Sequence, residues 1–351
     1  MKLFSIINSE VMIDVGRHST KVILYRRGNP APKILDFSSF RTPDDVYRED
    51  GSVNVSVSFT SKLQKIISGI GYTGTNCGIT MPTNGVIVRE ITLPNVPEKH
   101  LKKMIEMELP QHFLVNLNDF VVDYRVVGSK LVNEVEQLVI MVAAAPLEII
   151  NSFTMLLNSA GLQITEIDLL SNSLSKISEV TPIAEGETVV TAYVDLGYTR
   201  TNVVICKNGK PRYNRSFNFG CSDFEIAIKN KITPEVPASY FDILRISAED
   251  DYIPNKADTD MAETMNSLVL ELTKIFDFFT SRELDNHIGS IVLTGGGSYY
   301  KNIDKHFFNE FNIPTTVLDD VDGLFIERNK VDFRSAIPIY ANCIGAVVLP
   351  G

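Results

Sequence analysis

The sequence predicts an α/β protein of two duplicated lobes carrying a smaller α+β insertion, and three observations predict it. Met12 to Gly28, MIDVGRHSTKVILYRRG, is repeated without a gap 181 residues later as Tyr193 to Gly209, YVDLGYTRTNVVICKNG. Five of the seventeen aligned positions are identical, Asp14/Asp195, Gly16/Gly197, Thr20/Thr201, Val22/Val203 and Gly28/Gly209, where unrelated segments share about one. A buried-type strand, Ile291 to Ser298 (IVLTGGGS), runs into three consecutive glycines. Between the two copies, a block around residues 83–141 leaves the pattern and reads as strand, helix, strand, strand.

Each copy is an apolar strand ending in Asp-x-Gly, a short polar turn and a second β-branched strand closed by glycine, the pattern of a β-hairpin with a long tip. Glycine lets successive backbone N–H groups converge on an anion, and Ser19, Thr20, Thr199 and Thr201 add hydroxyl donors. The aspartate repels a phosphate directly. It fits only where a divalent cation with its water shell stands between carboxylate and phosphate, since magnesium binds through one or two carboxylates plus substrate oxygens. A single Asp-x-Gly is more often an ordinary turn; the duplication argues for a ligand, the triphosphate of a nucleotide clamped between two facing loops. The three glycines are either a hinge or a flat backbone against a bulky group such as adenosine. Taken in order, phosphate loop, phosphate loop, glycine loop, the motifs resemble the signature of the actin-like ATPase fold.

The other elements follow in chain order. Phe59, Leu63, Ile66, Ile67 and Ile70 share one helical face, and Asn76 to Met81 reads as a strand. Gly85 to Leu93 alternates as a strand. His100 to Leu109 is a helix with Leu101, Met104, Ile105 and Leu109 in one stripe, Pro97 and Glu98 suiting its first turn. Phe120 to Val127 and Gln137 to Ala143 are strands. Pro146 to Ala160 is a helix with Leu147, Ile150, Phe153, Met155, Leu156 and Leu157 mostly inward and Gly161 closing it. Ile164 to Leu169 is a strand, Leu170 to Ile177 starts a helix crossing between lobes, and Thr181 to Glu187 is a linker. Ile232 to Asp260, with three prolines and many acids, reads as a solvated surface. Leu268, Leu272, Ile275, Phe276 and Phe279 mark the buried stripe of a long helix; Glu271 and Lys274 lie on another face, where they either pair with each other or reach an adenosine. Ile339 to Val348 is a second crossing helix, with small Ala341, Gly345 and Ala346 permitting close approach.

Composition excludes several classes. A chain of 351 residues with 44% hydrophobic content buries two cores of ordinary size. A net charge of −10 argues against broad nucleic-acid contact or unaided adhesion to anionic lipid. No apolar run reaches the ~18–20 residues of a membrane span, and the start has too short an apolar stretch for a signal peptide, so a cytosolic protein is expected. Cys77, Cys206, Cys221 and Cys343 have no metal spacing and read as reduced hydrophobes; His18, His100, His112, His287 and His306 are equally dispersed. His18, within the first loop, reads as an exposed loop residue or a phosphate donor.

Gly78 to Pro94, GITMPTNGVIVREITLP, and Val96 to Val127, VPEKHLKKMIEMELPQHFLVNLNDFVVDYRVV, resemble the PilM family of type IV pilus assembly proteins. That family has an Arg-bearing strand, Leu-Pro, a helix of the PEKELxxxIxxE kind and a strand close to DYxVL; Tyr340 to Gly351 is similar to its end. Pro110 and Phe113-Leu114-Val115 depart from the family's aromatic and Ile-Pro-Phe-Pro. The resemblance implies lobes at 1–82 with 142–186 (subdomain 1A) and 187–225 with 286–351 (2A), an insert at 83–141 (1C-like) and a subdomain at 226–285 (2B). It implies ATP and Mg2+ between the lobes. Asp14, Gly16, Ser19, Thr20 and Lys21 fall in the first phosphate loop and Asp195, Gly197, Thr199 and Thr201 in the second, with Asp14 and Asp195 meeting magnesium through water. Gly295, Gly296, Gly297 and Ser298 take the adenosine, and Asp168 orients the attacking water in what is at most a slow ATPase. The implied partner is the N-terminal cytoplasmic peptide of a PilN-like membrane protein, and through it the pilus motor complex, with the chain recruited to the inner face of the cytoplasmic membrane without inserting and self-association left open. The alternatives are a cell-division membrane tether like FtsA, or a small-molecule kinase of the same fold, for which the sequence offers no second substrate pocket.

Overall fold

The repeated sequence folds into repeated hairpins. In the computed structural model, which describes residues 9–28, 32–83, 85–112, 116–133, 135–182, 188–229, 256–282, 286–327 and 333–348, β1 (Ser9–Val15) and β2 (Ser19–Arg26) pair antiparallel with Asp14 opposite Lys21. The β9 (Val190–Leu196) and β10 (Thr201–Lys207) strands pair the same way, with Asp195 opposite Asn202. A third strand follows each hairpin, β3 (Lys33–Arg41) and β11 (Lys210–Phe217). Both pairings slip at equivalent points, between Leu24 and Tyr25 and between Ile205 and Cys206. A bulge conserved between two copies of one module is a designed bend. Most of 232–260, the Phe113-Leu114-Val115 departure and most of the linker lie outside the described residues.

Contacts divide the chain into two units. The first holds residues 1–41, 78–81 and 167–351. One of its sheets runs β14-β3-β2-β1-β4-β8, which β4 (Asn76–Met81) and β8 (Gln163–Leu169) enter with their C-terminal residues and β14 (Phe325–Ile326) joins parallel to β3. The other runs β11-β10-β9-β12-β13, with β12 (Ser290–Thr294) and β13 (Thr315–Val317). Leaving β14 aside, the two sheets have the same order of strands, antiparallel hairpin first. Two helices, α4 (Leu170–Val180) and α8 (Phe333–Val347), pack together in one core with both sheets: Leu174, Ile177, Ile337 and Ile344 with Met12, Ile23, Tyr193 and Val204. The other face of the second sheet is covered by α5 (Cys221–Lys229), α6 (Lys256–Thr280) and α7 (Ile303–Phe311). The expected α6 stripe is buried, Leu268 and Leu272 completely.

The second unit, residues 42–77 and 82–166, holds α1 (Val57–Gly69), α3 (Leu147–Ser159) and an antiparallel sheet β5-β7-β6 of β5 (Ile87–Pro94), β7 (Val135–Pro146) and β6 (Phe120–Val132). Ser56 caps α1 by accepting from the Phe59 N–H at 3.2 Å, and Thr60 meets Ser159 of α3 at 2.8 Å. The helix α2 (Glu98–His112) lays Leu101, Ile105 and Leu109 on Ile91, Leu93, Ile140 and Val142. It runs through Pro110, whose missing N–H falls in the last turn, where little helix remains to disrupt. One expectation for α3 is corrected: Ile149, Phe153, Leu156 and Leu157 are buried, but Leu147 and Met155 face solvent. Among the described residues no helix is long and apolar enough to cross a membrane.

Candidate functional site

The two hairpins present their aspartates with one geometry. Lys21, directly across from Asp14, donates from Nζ to Asp14 Oδ2 at 3.2 Å; Asn202, across from Asp195, donates from Nδ2 to Asp195 Oδ2 at 3.2 Å. Register explains this, because opposed residues of an antiparallel pair bring side chains together. Both carboxylates are buried, and they act on each other. Burial first, then the charge of Asp14, pushes the Asp195 carboxyl up to about 6, against the opposing pull of Lys21, Asn202 and Thr294. Burial works against the charge of Lys21, but Asp14 and, further off, Asp195 outweigh it and raise its pKa overall. Lys21 thus pairs with Asp14 and acts on Asp195 through its charge.

The loop glycines close the turns. The Gly16 N–H donates to Ser19 O at 3.2 Å and the Gly197 N–H to Arg200 O at 3.0 Å. Thr20 and Thr201 are fully buried, and the Thr201 hydroxyl donates to Phe219 O at 2.8 Å; the structure gives both a place inside the loops' own packing. Ser19 and Thr199 stay half-buried at the tips. The tips meet: the rings of His18 and Tyr198 lie 4.8 Å apart, and Tyr198 is held from α5 by its hydroxyl donating to Glu225 at 3.0 Å. Of the two readings of His18, the exposed loop residue is not observed.

The glycine run turns off β12 directly beneath the second aspartate. Thr294 donates to Asp195 Oδ1 at 3.4 Å, and the Gly295 N–H donates to Pro338 O of α8 at 2.9 Å. Gly295 has φ +79°, and a Cβ there would lie 2.6 Å from both Asp195 Oδ1 and Leu196 O. No other residue fits this approach. A Cβ on Gly296 would meet nothing within 4 Å, so the middle glycine faces open space. Ser298 turns inward, its hydroxyl donating to Gly295 O at 2.7 Å.

Three expected residues have partners outside the hairpins. Glu271 and Lys274 form an exposed ion pair with each other on α6. Asp168, at the end of β8, accepts from the Leu169 N–H at 2.8 Å and from Asn172 at 2.7 Å through Oδ1, and pairs through Oδ2 with Lys176 at 2.8 Å. Lys176 also donates to Ala346 O at 3.2 Å, tying α4 to the end of α8. Sequence reasoning missed Asn202, although the repeat itself aligns it with Lys21. It missed Lys176 too, which lies one turn of α4 beyond Asn172 and on the same face.

A magnesium–nucleotide fits these residues. Among the described residues no three His, Cys, Asp or Glu side chains could hold a metal by themselves, and a pair of oxygen donors suits a cation completed by water and ligand oxygens. A cation beside Asp195 would offset the burial and the Asp14 charge that raise its carboxyl, which agrees with the fit.

Two sheets of one strand order, a pair of Asp-bearing hairpins, a glycine turn against the second of them, and two packed helices define the actin-like ATPase fold. A model of a family described as type IV pilus assembly protein PilM matches residues 12–347, and the chain belongs to that family. A solved PilM–PilN type IV pilus biogenesis complex contains a chain 19% identical, with 96% of this chain and 97% of that one covered at a TM-score of 0.80. Ethanolamine utilization protein EutJ from Carboxydothermus hydrogenoformans is 9% identical over 98% and 90% of the two chains, with a TM-score of 0.52. Cell division protein FtsA of Borreliella burgdorferi is 24% identical over 213 residues, 54% of this chain; the match spans about half, 49%, of that curated relative.

Proposed function

We propose that this PilM-family protein binds ATP with Mg2+ between its two aspartate hairpins and acts as a nucleotide-responsive scaffold of type IV pilus assembly, with slow ATP turnover at most. The observation that carries the reading is the matched pair Asp14–Lys21 and Asp195–Asn202 with Gly295 packed beneath Asp195. Magnesium, when bound, supplies neutralisation of the β- and γ-phosphate oxygens. Asp14 and Asp195 would hold its water shell and Lys21 would reach phosphate. The open side of Gly296 would take the adenosine. Asp168, already held by the Leu169 N–H, Asn172 and Lys176, would orient the attacking water with its remaining acceptor capacity.

The partner in this reading is the cytoplasmic N-terminal peptide of a PilN-like membrane protein, which would bring a cytoplasmic chain and the pilus motor complex to the inner face of the membrane. The second unit offers a surface for it, a cavity of about 650 Å3 lined by Val55, Phe120, Leu147 and Met155 with Arg48 and Glu148 beside them. A short peptide with apolar anchors and mixed charge suits such a lining. The likeness to FtsA concerns half of that protein and names no partner, so the tether reading has no observation of its own.

Calorimetric titration with ATP and Mg2+ tests the nucleotide site. Wild type should bind, and Asp195→Ala should not bind measurably while keeping its fold. Equal affinities would remove the second hairpin from the site.

A further inference from the structure

The two hairpin tips carry more than their aspartates. Arg17 directly follows Gly16 in the first turn and is exposed; Arg200 ends the second turn and is half-buried. The repeat does not make them equivalent, since Arg17 aligns with Tyr198 and Arg200 with Ser19. The structure nevertheless brings them to one place. The His18 and Tyr198 rings, next to Arg17 in one turn and two residues before Arg200 in the other, lie 4.8 Å apart. Arg200 Nε donates to Ser216 on β11 at 3.1 Å, which fixes the plane of its guanidinium. Burial, and then the like charge of Arg17, lower the Arg200 pKa, so the two cations lie within electrostatic reach.

The polarity of the site follows from this order along each hairpin. The carboxylates lie at the strand ends and call for a metal; the guanidiniums lie at the tips and call for an anion. Like charges held close are relieved by an anion between them, and guanidinium forks match phosphate oxygens in pairs. A group touched from both tips is flanked on two sides, which suits the end of a polyphosphate rather than its middle. We propose that Arg17 and Arg200, one from each hairpin, hold the terminal phosphate and make the site select nucleoside triphosphate over diphosphate. The proposal rests on the nucleotide reading above and names the specificity of that site.

The test is calorimetric titration of wild type, Arg17→Ala, Arg200→Ala and Arg200→Lys with ATP and with ADP, each with Mg2+, after a melting curve without nucleotide shows each variant folded. Each alanine variant should lose about 10-fold or more in ATP affinity, the range of a hydrogen bond to a charged group, and keep ADP affinity within about 2-fold. Arg200→Lys should fall between, retaining charge without the fork. An unchanged ATP-to-ADP ratio, or equal weakening of both nucleotides, overturns the proposal. Wild type binding neither nucleotide overturns the nucleotide reading itself, a distinct result.

Discussion

Asp195 carries a charge that the fold opposes. Its carboxyl titrates at about 6 when folded, against an ordinary 3.8, because burial and Asp14 both disfavour its anion. Between those values the folded state holds a proton that the unfolded chain releases. Stability from this group is therefore fully present below the unfolded value and is lost as pH rises through about 6. Asp195→Asn keeps the shape and an acceptor for Asn202 while removing the charge. In urea titrations without nucleotide, the variant should gain on wild type by roughly 2–3 kcal/mol between pH 4 and pH 7. A difference that stays flat across that window would return Asp195 to the ordinary carboxylate range. Saturating Mg2+ and ATP should abolish the gain, because the charge then has a partner. The cysteines follow the same physics: burial alone pushes the Cys77 thiol up to about 12, and all four are free and buried, which fits the reading of them as reduced hydrophobes.

The helices α4 and α8 cross so closely that a methyl on Gly345 would run into the Ser173 carbonyl oxygen. Helix propensity alone makes Gly→Ala stabilising by about 1 kcal/mol, whereas overpacking costs about 1–3 kcal/mol. The sign decides between them. Gly345→Ala should lower the melting temperature read by circular dichroism, and an unchanged or higher one would mean that the crossing has room. This crossing was legible in the sequence because small residues recur there; its full extent was not. The α8 helix starts at Phe333 and passes through Pro338, while periodicity suggests a start after the proline. The duplicated hairpins and the α6 stripe were legible for the same reason, since strand alternation and helical spacing are local. The short helices α5 and α7 and the third strands β3 and β11 were not, because they are brief or carry mixed polarity that only the packed sheet resolves. At the hairpins, the repeat made the matched positions of Asp14 and Asp195 legible. The His18–Tyr198 contact and the Lys176 bridge join residues 180 and 170 positions apart, and only the fold supplies such proximity.

At the scale of the molecule, the two proposed sites share covalent paths. The exposed Leu147 and Met155 stand on α3, the next strand is β8, and β8 ends at Asp168 and α4. Both β4 and β8 begin in the second unit and end in the first. In the proposed reading a peptide that orders α3 would act on β8, whose last residues hold the Asp168–Lys176–α8 connection, and a nucleotide at the hairpins would act on α4 and α8 through the core they share. Coupling of this kind is a free energy between sites and is reciprocal, typically 1–3 kcal/mol or about 5–150-fold in affinity. A synthetic peptide matching the cytoplasmic start of the PilN-like protein should bind at least about 5-fold tighter with saturating Mg2+ and ATP than without, and ATP should tighten by the same factor when the peptide is present. Met155→Asp places a charge in the apolar lining of the cavity; it should abolish peptide binding and leave ATP affinity in the absence of peptide unchanged. Peptide affinity indifferent to nucleotide would reduce the protein to a static adaptor. Tight peptide binding by Met155→Asp would move the docking surface off α3, because a carboxylate buried against Val55 and Phe120 has, among the described lining residues, Arg48 as its one cation.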